Sequence, residues 1–200
     1  MISEKYKFLF IHIPKTAGNS IQCNISKYSE DEIIRGAPFQ DGIERFGVMG
    51  RRGLGKHSTL ADYYSALGRD YFNGFYKFSS IRNPWDRAIS FYFSPHRSVT
   101  SWDRGSFLSC LPEIPSMFSY LSVDSNYRAE SKSEIEFLIR YENLESDFRS
   151  CCAQIGIPFE GLPIRNKSKK GSYRDYYDPE LINIVGELFA VDIKNFGYSF

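Results

Sequence analysis

The run Tyr-Lys-Phe-Leu-Phe-Ile-His-Ile at positions 6–13 is the sequence feature that most constrains the fold. It is almost continuously apolar and rich in aromatic and β-branched side chains, which is typical of a strand buried on both faces. Residues 73–82 and 133–144 predict two more strands, and a helical pattern follows each of the three. This alternation predicts an α/β fold with a mainly parallel central sheet flanked by helices.

The remaining sequence patterns predict where the helices and loops begin and end. Thr59, with Asp62 at capping-box distance, favours a helix over 57–67, and Pro84 suits the first position of a helix. Residues 30–56 are rich in glycine and charge, so we expect a loop there, and 95–130 show little periodicity. Two hundred residues suit a single domain spanning 1–200. Helices are expected over 18–28, 57–67 and 83–93, from about 144, and from 178 onwards.

Composition narrows the class of protein. A formal net charge of +1 gives no general attraction to nucleic acid or to an acidic membrane, so an anion site must be local. The apolar run near the N-terminus is too short to span a membrane and lacks a signal-peptide cleavage region. The four cysteines lack zinc-site spacing and are interpreted as free thiols, which suits a reducing compartment and a cytoplasmic enzyme. They are Cys23, Cys110, Cys151 and Cys152.

The segment after the first predicted strand has the composition of an anion-binding loop. Lys15 supplies a charge, Thr16 and Ser20 supply hydroxyl donors, and Ala17 and Gly18 let a ligand approach the backbone closely. A helix then begins, so its free N–H groups and positive dipole end face the loop. The GxxxxGK[ST] pattern of a Walker A loop is absent. An ordinary polar turn with an exposed lysine remains the alternative.

A second candidate anion site follows the second strand. Arg82 ends that strand, and Ser90 lies eight residues further on, in the predicted helix. A guanidinium can grip a phosphate with two donors. Because ligands of parallel sheets bind at the carboxyl ends of strands, Lys15 and Arg82 are predicted to share one site. The alternative is a local ion pair between Arg82 and Asp86, with Ser90 on the helix surface.

Together the two segments, Phe-Ile-His-Ile-Pro-Lys-Thr-Ala-Gly-Asn-Ser and Ile-Arg-Asn-Pro-Trp-Asp-Arg-Ala-Ile-Ser-Phe-Tyr, resemble the sulfotransferase family that includes many carbohydrate sulfotransferases. The resemblance implies a P-loop NTPase-like sulfotransferase fold. It also implies PAPS (3′-phosphoadenosine 5′-phosphosulfate) as sulfuryl donor, with the 3′-phosphate bound by Arg82 and Ser90. The residues implied at the 5′-phosphosulfate are Lys15, Thr16, Ala17, Gly18, Asn19 and Ser20.

Three histidines compete for the role of the base that accepts the acceptor's proton. His57 follows a glycine-rich segment and resembles the base of the uronyl 2-O-sulfotransferases, so we expect it to be the catalytic base. His12 lies in a strand and is expected to be packed, although a catalytic part stays open, and His96 lies in the region 95–130. Glu142 follows a strand, where it can cap a helix or orient a partner in the site.

A cationic segment over 165–177 is the last candidate. Lys169, Lys170, Gly171 and Arg174 resemble the Lys-Gly-containing loop that covers the 3′-phosphate in other sulfotransferases. A run of cations is more commonly a solvated face, which is the alternative interpretation.

The sequence therefore predicts a sulfotransferase that moves a sulfuryl group from PAPS to a hydroxyl, with Lys15 and His57 as catalytic residues and no metal. The acceptor is expected to be a carbohydrate or another hydroxyl-bearing molecule, bound by 30–56 and 95–130. A P-loop-type nucleotide kinase or NTPase, and a non-catalytic nucleotide-binding module, remain the alternatives.

Overall fold

A computed structural model of the chain describes residues 1–36, 45–50, 53–124, 134–162 and 171–200. The strands are β1 (Ile2–Ser3), β2 (Phe8–Ile11), β3 (Glu32–Gly36), β4 (Arg45–Met49), β5 (Tyr76–Ile81) and β6 (Phe137–Arg140). The helices are α1 (Gly18–Ile25), α2 (Leu60–Leu67), α3 (Arg69–Asn73), α4 (Pro84–Tyr92), α5 (Arg104–Cys110), α6 (Met117–Leu121), α7 (Leu144–Ile155), α8 (Pro179–Leu188) and α9 (Ala190–Phe196).

The central sheet has the strand order β1-β2-β5-β6. Strands β2 and β5 pair in parallel, as do β5 and β6, whereas the short β1 pairs antiparallel with β2 at the edge. The predicted α/β fold with a mainly parallel sheet is therefore confirmed. Because α1 follows β2, α4 follows β5 and α7 follows β6, three helix starts lie beyond the carboxyl ends of neighbouring strands.

Both faces of the sheet are covered by apolar side chains. On one side Phe8, Phe10 and Phe78 pack with residues of α1 and α7, while Leu9 and Ile11 pack on the other side with α2 and α6. All five of these strand residues are fully buried. This double burial explains why the first strand reads as a nearly continuous apolar run rather than as an alternating one.

Local signals placed several helix starts correctly. Thr59 caps α2 and forms the expected capping box with Asp62, so the helix begins at Leu60. Asn83 caps α4, where Pro84 occupies the first turn, and the side chain of Asp178 caps α8. At each of these sites a side-chain oxygen accepts a hydrogen bond from an otherwise unpaired N–H group.

Other expectations need correction. Residues 32–36 and 45–49, expected within a loop, pair as a two-stranded antiparallel sheet, and 95–130 contain the short helices α5 and α6. The third strand begins at Phe137 rather than at 133, and Phe189 separates the last helix into α8 and α9. Pairing between strands depends on distant residues, so side-chain periodicity gave no sign of the hairpin. Residues 37–44, 51–52 and 125–133 lie outside the described residues.

The four cysteines are unpaired. Within the described ranges, no helix combines the length and the apolarity that crossing a membrane requires.

Replacing Phe78 by Ala tests the central packing. The Phe78 ring contacts those of Phe8 and Phe10, with centroids 5.8 and 5.1 Å away. We expect the free energy of unfolding to fall by about 3–5 kcal/mol, because truncation leaves a cavity in a buried position. Denaturant unfolding measures this change. Leu188→Ala is the control, since that side chain is 46% exposed, and a similar loss there would contradict the assignment of Phe78 to the core.

Candidate active site

The loop between β2 and α1 adopts an unusual backbone conformation. Lys15 and Ala17 have positive φ angles of 71° and 70°, which cost energy in residues with a side chain. Ala17 is the N-cap of α1, so no side chain caps the helix, and its first turn carries no acidic residue. The positive end of α1 is therefore left for an external anion, which fits the predicted phosphate loop.

The polar side chains of this loop differ in their surroundings. Thr16 is fully buried, and its hydroxyl donates to the Ile13 carbonyl at 2.8 Å and lies 2.8 Å from the Ser80 hydroxyl. Its single hydroxyl hydrogen is thus used within the protein, and Thr16 can offer a ligand only its backbone N–H. Ser20 is also buried, and Asn19 Oδ1 is buried without a hydrogen-bond partner among the described residues.

His12 is packed beneath the loop, as expected. It is 3% exposed, its Nδ1 lies 2.8 Å from Gln22 Oε1, and its ring lies against the backbone of Gly18. Burial, together with the nearby His57 and Lys56, holds the pKa of His12 well below its ordinary value, so the ring is neutral. A neutral ring is compatible with an apolar packing role beside α1.

His57 is hydrogen-bonded to His12, the residue that directly follows β2. Its Nδ1 lies 3.0 Å from the His12 carbonyl oxygen, and the two ring centroids are 4.6 Å apart. A carbonyl only accepts, so Nδ1 carries the hydrogen and the neutral ring has its lone pair on Nε2. The residue is exposed, yet partial burial of the ring lowers its pKa; the hydrogen bond to His12 opposes this shift, and Lys56 adds to it.

Arg82 joins the two predicted anion-binding segments. Its Nη1 donates to the Lys15 carbonyl at 3.3 Å, and its guanidinium stacks on the Tyr141 ring with the centroid 3.8 Å from Cζ. Its Nε and Nη2 each donate to an oxygen of Asp86 at 2.8 Å. The local ion pair weighed as the alternative is therefore present, together with the predicted convergence of Lys15 and Arg82.

The other predicted site residues lie in α4 and in the cationic segment over 165–177. Ser90 is half-buried near the end of α4. Gly171 is exposed, and a Cβ at that position would lie 2.8 Å from Asp175 Oδ2. Lys169 and Lys170 lie outside the described residues. The role of each in nucleotide binding stays a prediction.

Glu142 orients a neighbour of the site rather than capping α7. Its carboxylate accepts hydrogen bonds from the Asn83 N–H at 2.8 Å and from the Tyr198 hydroxyl at 3.1 Å. The side-chain Nδ2 of Asn83 in turn donates to the Ser199 carbonyl at 2.8 Å. The residue that follows Arg82 is thus held by Glu142, which comes after β6, and by the C-terminal segment.

Sequence reasoning missed several residues that hold these groups in place. Tyr141, Gln22 and Arg87 were given no role, although Arg87 lies within the second of the two segments that carry the family resemblance. Arg87 is 1% exposed and donates to two backbone carbonyls. Among the described residues, no group of three or more histidine, cysteine, aspartate or glutamate side chains is arranged to hold a metal ion.

Comparisons with known proteins agree with this geometry. The family model described as "Sulfotransferase family" matches residues 1–100, which include β2, the Lys15 loop, His57 and Arg82. The chain belongs to the sulfotransferase family. Membership of this family supports sulfuryl transfer and argues against the nucleotide kinase or NTPase that remained as an alternative from the sequence. No curated protein matches the sequence.

The fold of this sulfotransferase also matches a solved structure. The crystal structure of mouse sulfotransferase SULT7A1 complexed with PAP superposes with a TM-score of 0.52 at 15% sequence identity. The match covers 97% of this chain and 87% of that chain, so the likeness extends over the whole fold.

Gly18→Ala should disable the loop of this sulfotransferase. A Cβ at Gly18 would lie 2.0 Å from His12 Cδ2 and 2.3 Å from Nε2, so the ring or α1 must move. We expect about 1–3 kcal/mol lower stability from overpacking, together with weaker binding of adenosine 3′,5′-bisphosphate (PAP). Calorimetric titration and thermal unfolding measure the two effects. Gly55→Ala is the matched control, because its Cβ would meet no atom within 4 Å; unchanged PAP binding in Gly18→Ala would contradict this account.

Proposed function

We propose that this sulfotransferase transfers a sulfuryl group from PAPS to a hydroxyl of a carbohydrate acceptor, with Lys15 and His57 in the catalytic roles. The observation that carries the proposal is the contact between Arg82 and the Lys15 carbonyl at the carboxyl ends of β5 and β2. It brings the two cationic segments together, as binding of one doubly phosphorylated nucleotide requires. Support also comes from the PAP in the crystal structure of SULT7A1.

PAPS supplies a sulfuryl group joined to a phosphate through a bridging oxygen. In the transfer the bond from sulfur to that oxygen breaks, a bond from sulfur to the acceptor oxygen forms, and the acceptor hydroxyl loses its proton. By analogy with phosphoryl transfer, the protein contributes mainly positioning and charge stabilisation. The residues of the site can be assigned to these tasks.

Lys15 and the start of α1 are assigned to the departing phosphate. The lysine charge and the first N–H groups of α1 stabilise the negative charge that gathers on the bridging oxygen. Ala17 leaves those groups uncapped, and Thr16 contributes its backbone N–H. The uncapped start of α1 supports this assignment, and no acidic residue lies in its first turn to oppose a bound phosphate.

His57 is assigned the acceptor proton. Its Nδ1–H is held by the His12 carbonyl, which leaves Nε2 as the atom that takes the proton. The lowered pKa of His57 keeps the ring neutral at pH 7, the form that a general base requires. The neighbouring His12 is buried and serves to orient His57.

Arg82 and Ser90 are assigned to the 3′-phosphate. We expect the cationic segment to cover that phosphate with Lys169, Lys170 and Gly171. Binding energy at this remote end orients the reacting end. We favour a carbohydrate acceptor because of the family resemblance, and we place its binding in the regions 30–56 and 95–130. The unpaired cysteines support a reducing, cytoplasmic setting.

Calorimetric titration distinguishes the alternatives. Tight binding of PAP without metal, and weak binding of ATP with Mg²⁺, is the expected result. The reverse order would contradict the assignment of the site to a 3′,5′-bisphosphate nucleotide. Binding of PAP without sulfuryl transfer to any of a panel of glycans and phenols would favour a non-catalytic module.

The pH profile tests His57. Because its pKa is lowered below the ordinary 6.5, the neutral base prevails through neutral pH, and kcat/KM should fall only as the pH drops below about 6.5. In His57→Ala we expect a loss of about 10²–10⁴-fold and the disappearance of that acidic limb. Initial rates across pH 5–8 measure both. His96→Ala, at another exposed histidine, is the control; near-normal turnover in His57→Ala would remove the base assignment.

Arg82→Ala tests the 3′-phosphate site. We expect PAP affinity to fall about 10- to 100-fold, since hydrogen bonds to a charged group are lost. Adenosine 5′-monophosphate lacks the 3′-phosphate, so its affinity should fall much less. Calorimetry with both ligands gives the comparison. Equal losses for the two ligands would contradict the assignment.

A further inference from the structure

Arg87 is a buried cation that the proposed mechanism leaves without a task. It lies in α4, is 1% exposed and belongs to the largest fully buried side chains. Its Nε donates to the Pro14 carbonyl at 3.0 Å and its Nη1 to the Pro115 carbonyl at 2.8 Å. One guanidinium thus joins the segment directly before Lys15 to the segment directly before α6.

The Pro14 carbonyl is one of two successive carbonyls held from the same end of α4. Arg82 donates to the next one, that of Lys15, at 3.3 Å. Between these two anchors lies the peptide that sets the direction of the Lys15 side chain. Lys15 has a φ of 71°, a conformation that persists only where the surroundings enforce it.

The surroundings of Arg87 argue against a simple space-filling role. Burial lowers the pKa of Arg87 to about 10, so it still carries its charge near neutral pH, and its Nη2 is buried without a hydrogen-bond partner. Among the described residues it forms no ion pair; Asp192, whose charge raises the pKa of Arg87, accepts from the Met117 and Phe118 N–H groups at 2.8 Å each. An unpaired buried charge is costly, and an apolar side chain would fill the space at less cost. What Arg87 provides, and an apolar side chain would not, is the pair of hydrogen bonds to the Pro14 and Pro115 carbonyls.

We propose that Arg87 is a positioning residue that acts through Lys15. By holding the Pro14 carbonyl against α4, it fixes the backbone turn that directs Lys15 to the 5′-phosphate end of the nucleotide. This inference rests on the proposed function, because it takes Lys15 to contact that phosphate.

A double-mutant cycle on PAP affinity tests the inference. Arg87→Lys keeps the charge, but a single ammonium lacks the planar fork that reaches both carbonyls. We expect Arg87→Lys to weaken PAP binding about tenfold in the wild-type background and to have almost no effect in Lys15→Met. A merely structural role would give the same loss in both backgrounds, which would overturn the inference.

Asp192→Asn is the matched control. It alters the same buried cluster and the start of α6, but it removes no donor to the Lys15 loop. We expect it to lower the unfolding temperature while PAP affinity stays within about twofold of wild type. If Asp192→Asn weakens PAP binding as much as Arg87→Lys does at equal stability, the positioning role is overturned.

Two further outcomes are separable. If the wild-type protein binds no PAP, the proposed function fails, and this inference fails with it. If it binds PAP and the losses multiply, only the inference fails. Should Arg87→Lys not fold, Arg87→Gln removes the buried charge, keeps one amide donor and enters the same cycle with the same expected result.

Discussion

The parallel pairing of β2 with β5 places Phe8 opposite Tyr76 and Ile11 opposite Ser79. In this register the segments that follow the two strands leave the sheet side by side, at the carboxyl ends of the strands. The Arg82 guanidinium therefore reaches the Lys15 carbonyl. An antiparallel pairing would send the two cations to opposite edges of the sheet. The candidate nucleotide site therefore depends on strand direction before it depends on any single side chain.

His12, which directly follows β2, contacts both α1 and His57. Its ring supports the backbone at Gly18, its Nδ1 is bonded to Gln22 of α1, and its carbonyl orients His57. One buried residue thus sets both the position of α1 and the tautomer of the proposed base. A side chain at Gly18 or a different ring at position 12 would disturb both at once.

Local rules predicted that Lys15 and Arg82 follow strands and where several helices begin. Lys15 and Arg82 come directly after apolar runs, and the caps at Thr59 and Asp178 are short-range side-chain signals. The hairpin of β3 and β4 was missed because strand pairing joins positions that share no local pattern. Arg87 and Tyr141 were missed for the same reason: their partners lie far away in sequence. Which carbonyl a buried arginine meets is decided by the tertiary fold.

The ion pair with Asp86 does not exclude Arg82 from binding a phosphate. A guanidinium has five N–H donors, and three are used, by two oxygens of Asp86 and by the Lys15 carbonyl. Two N–H donors remain, one on Nη1 and one on Nη2. In the proposed function a 3′-phosphate would therefore bind without displacing Asp86. Its charge would then face the Asp86 carboxylate as well as the guanidinium, so we expect a lower nucleotide affinity than an arginine without an ion pair would give.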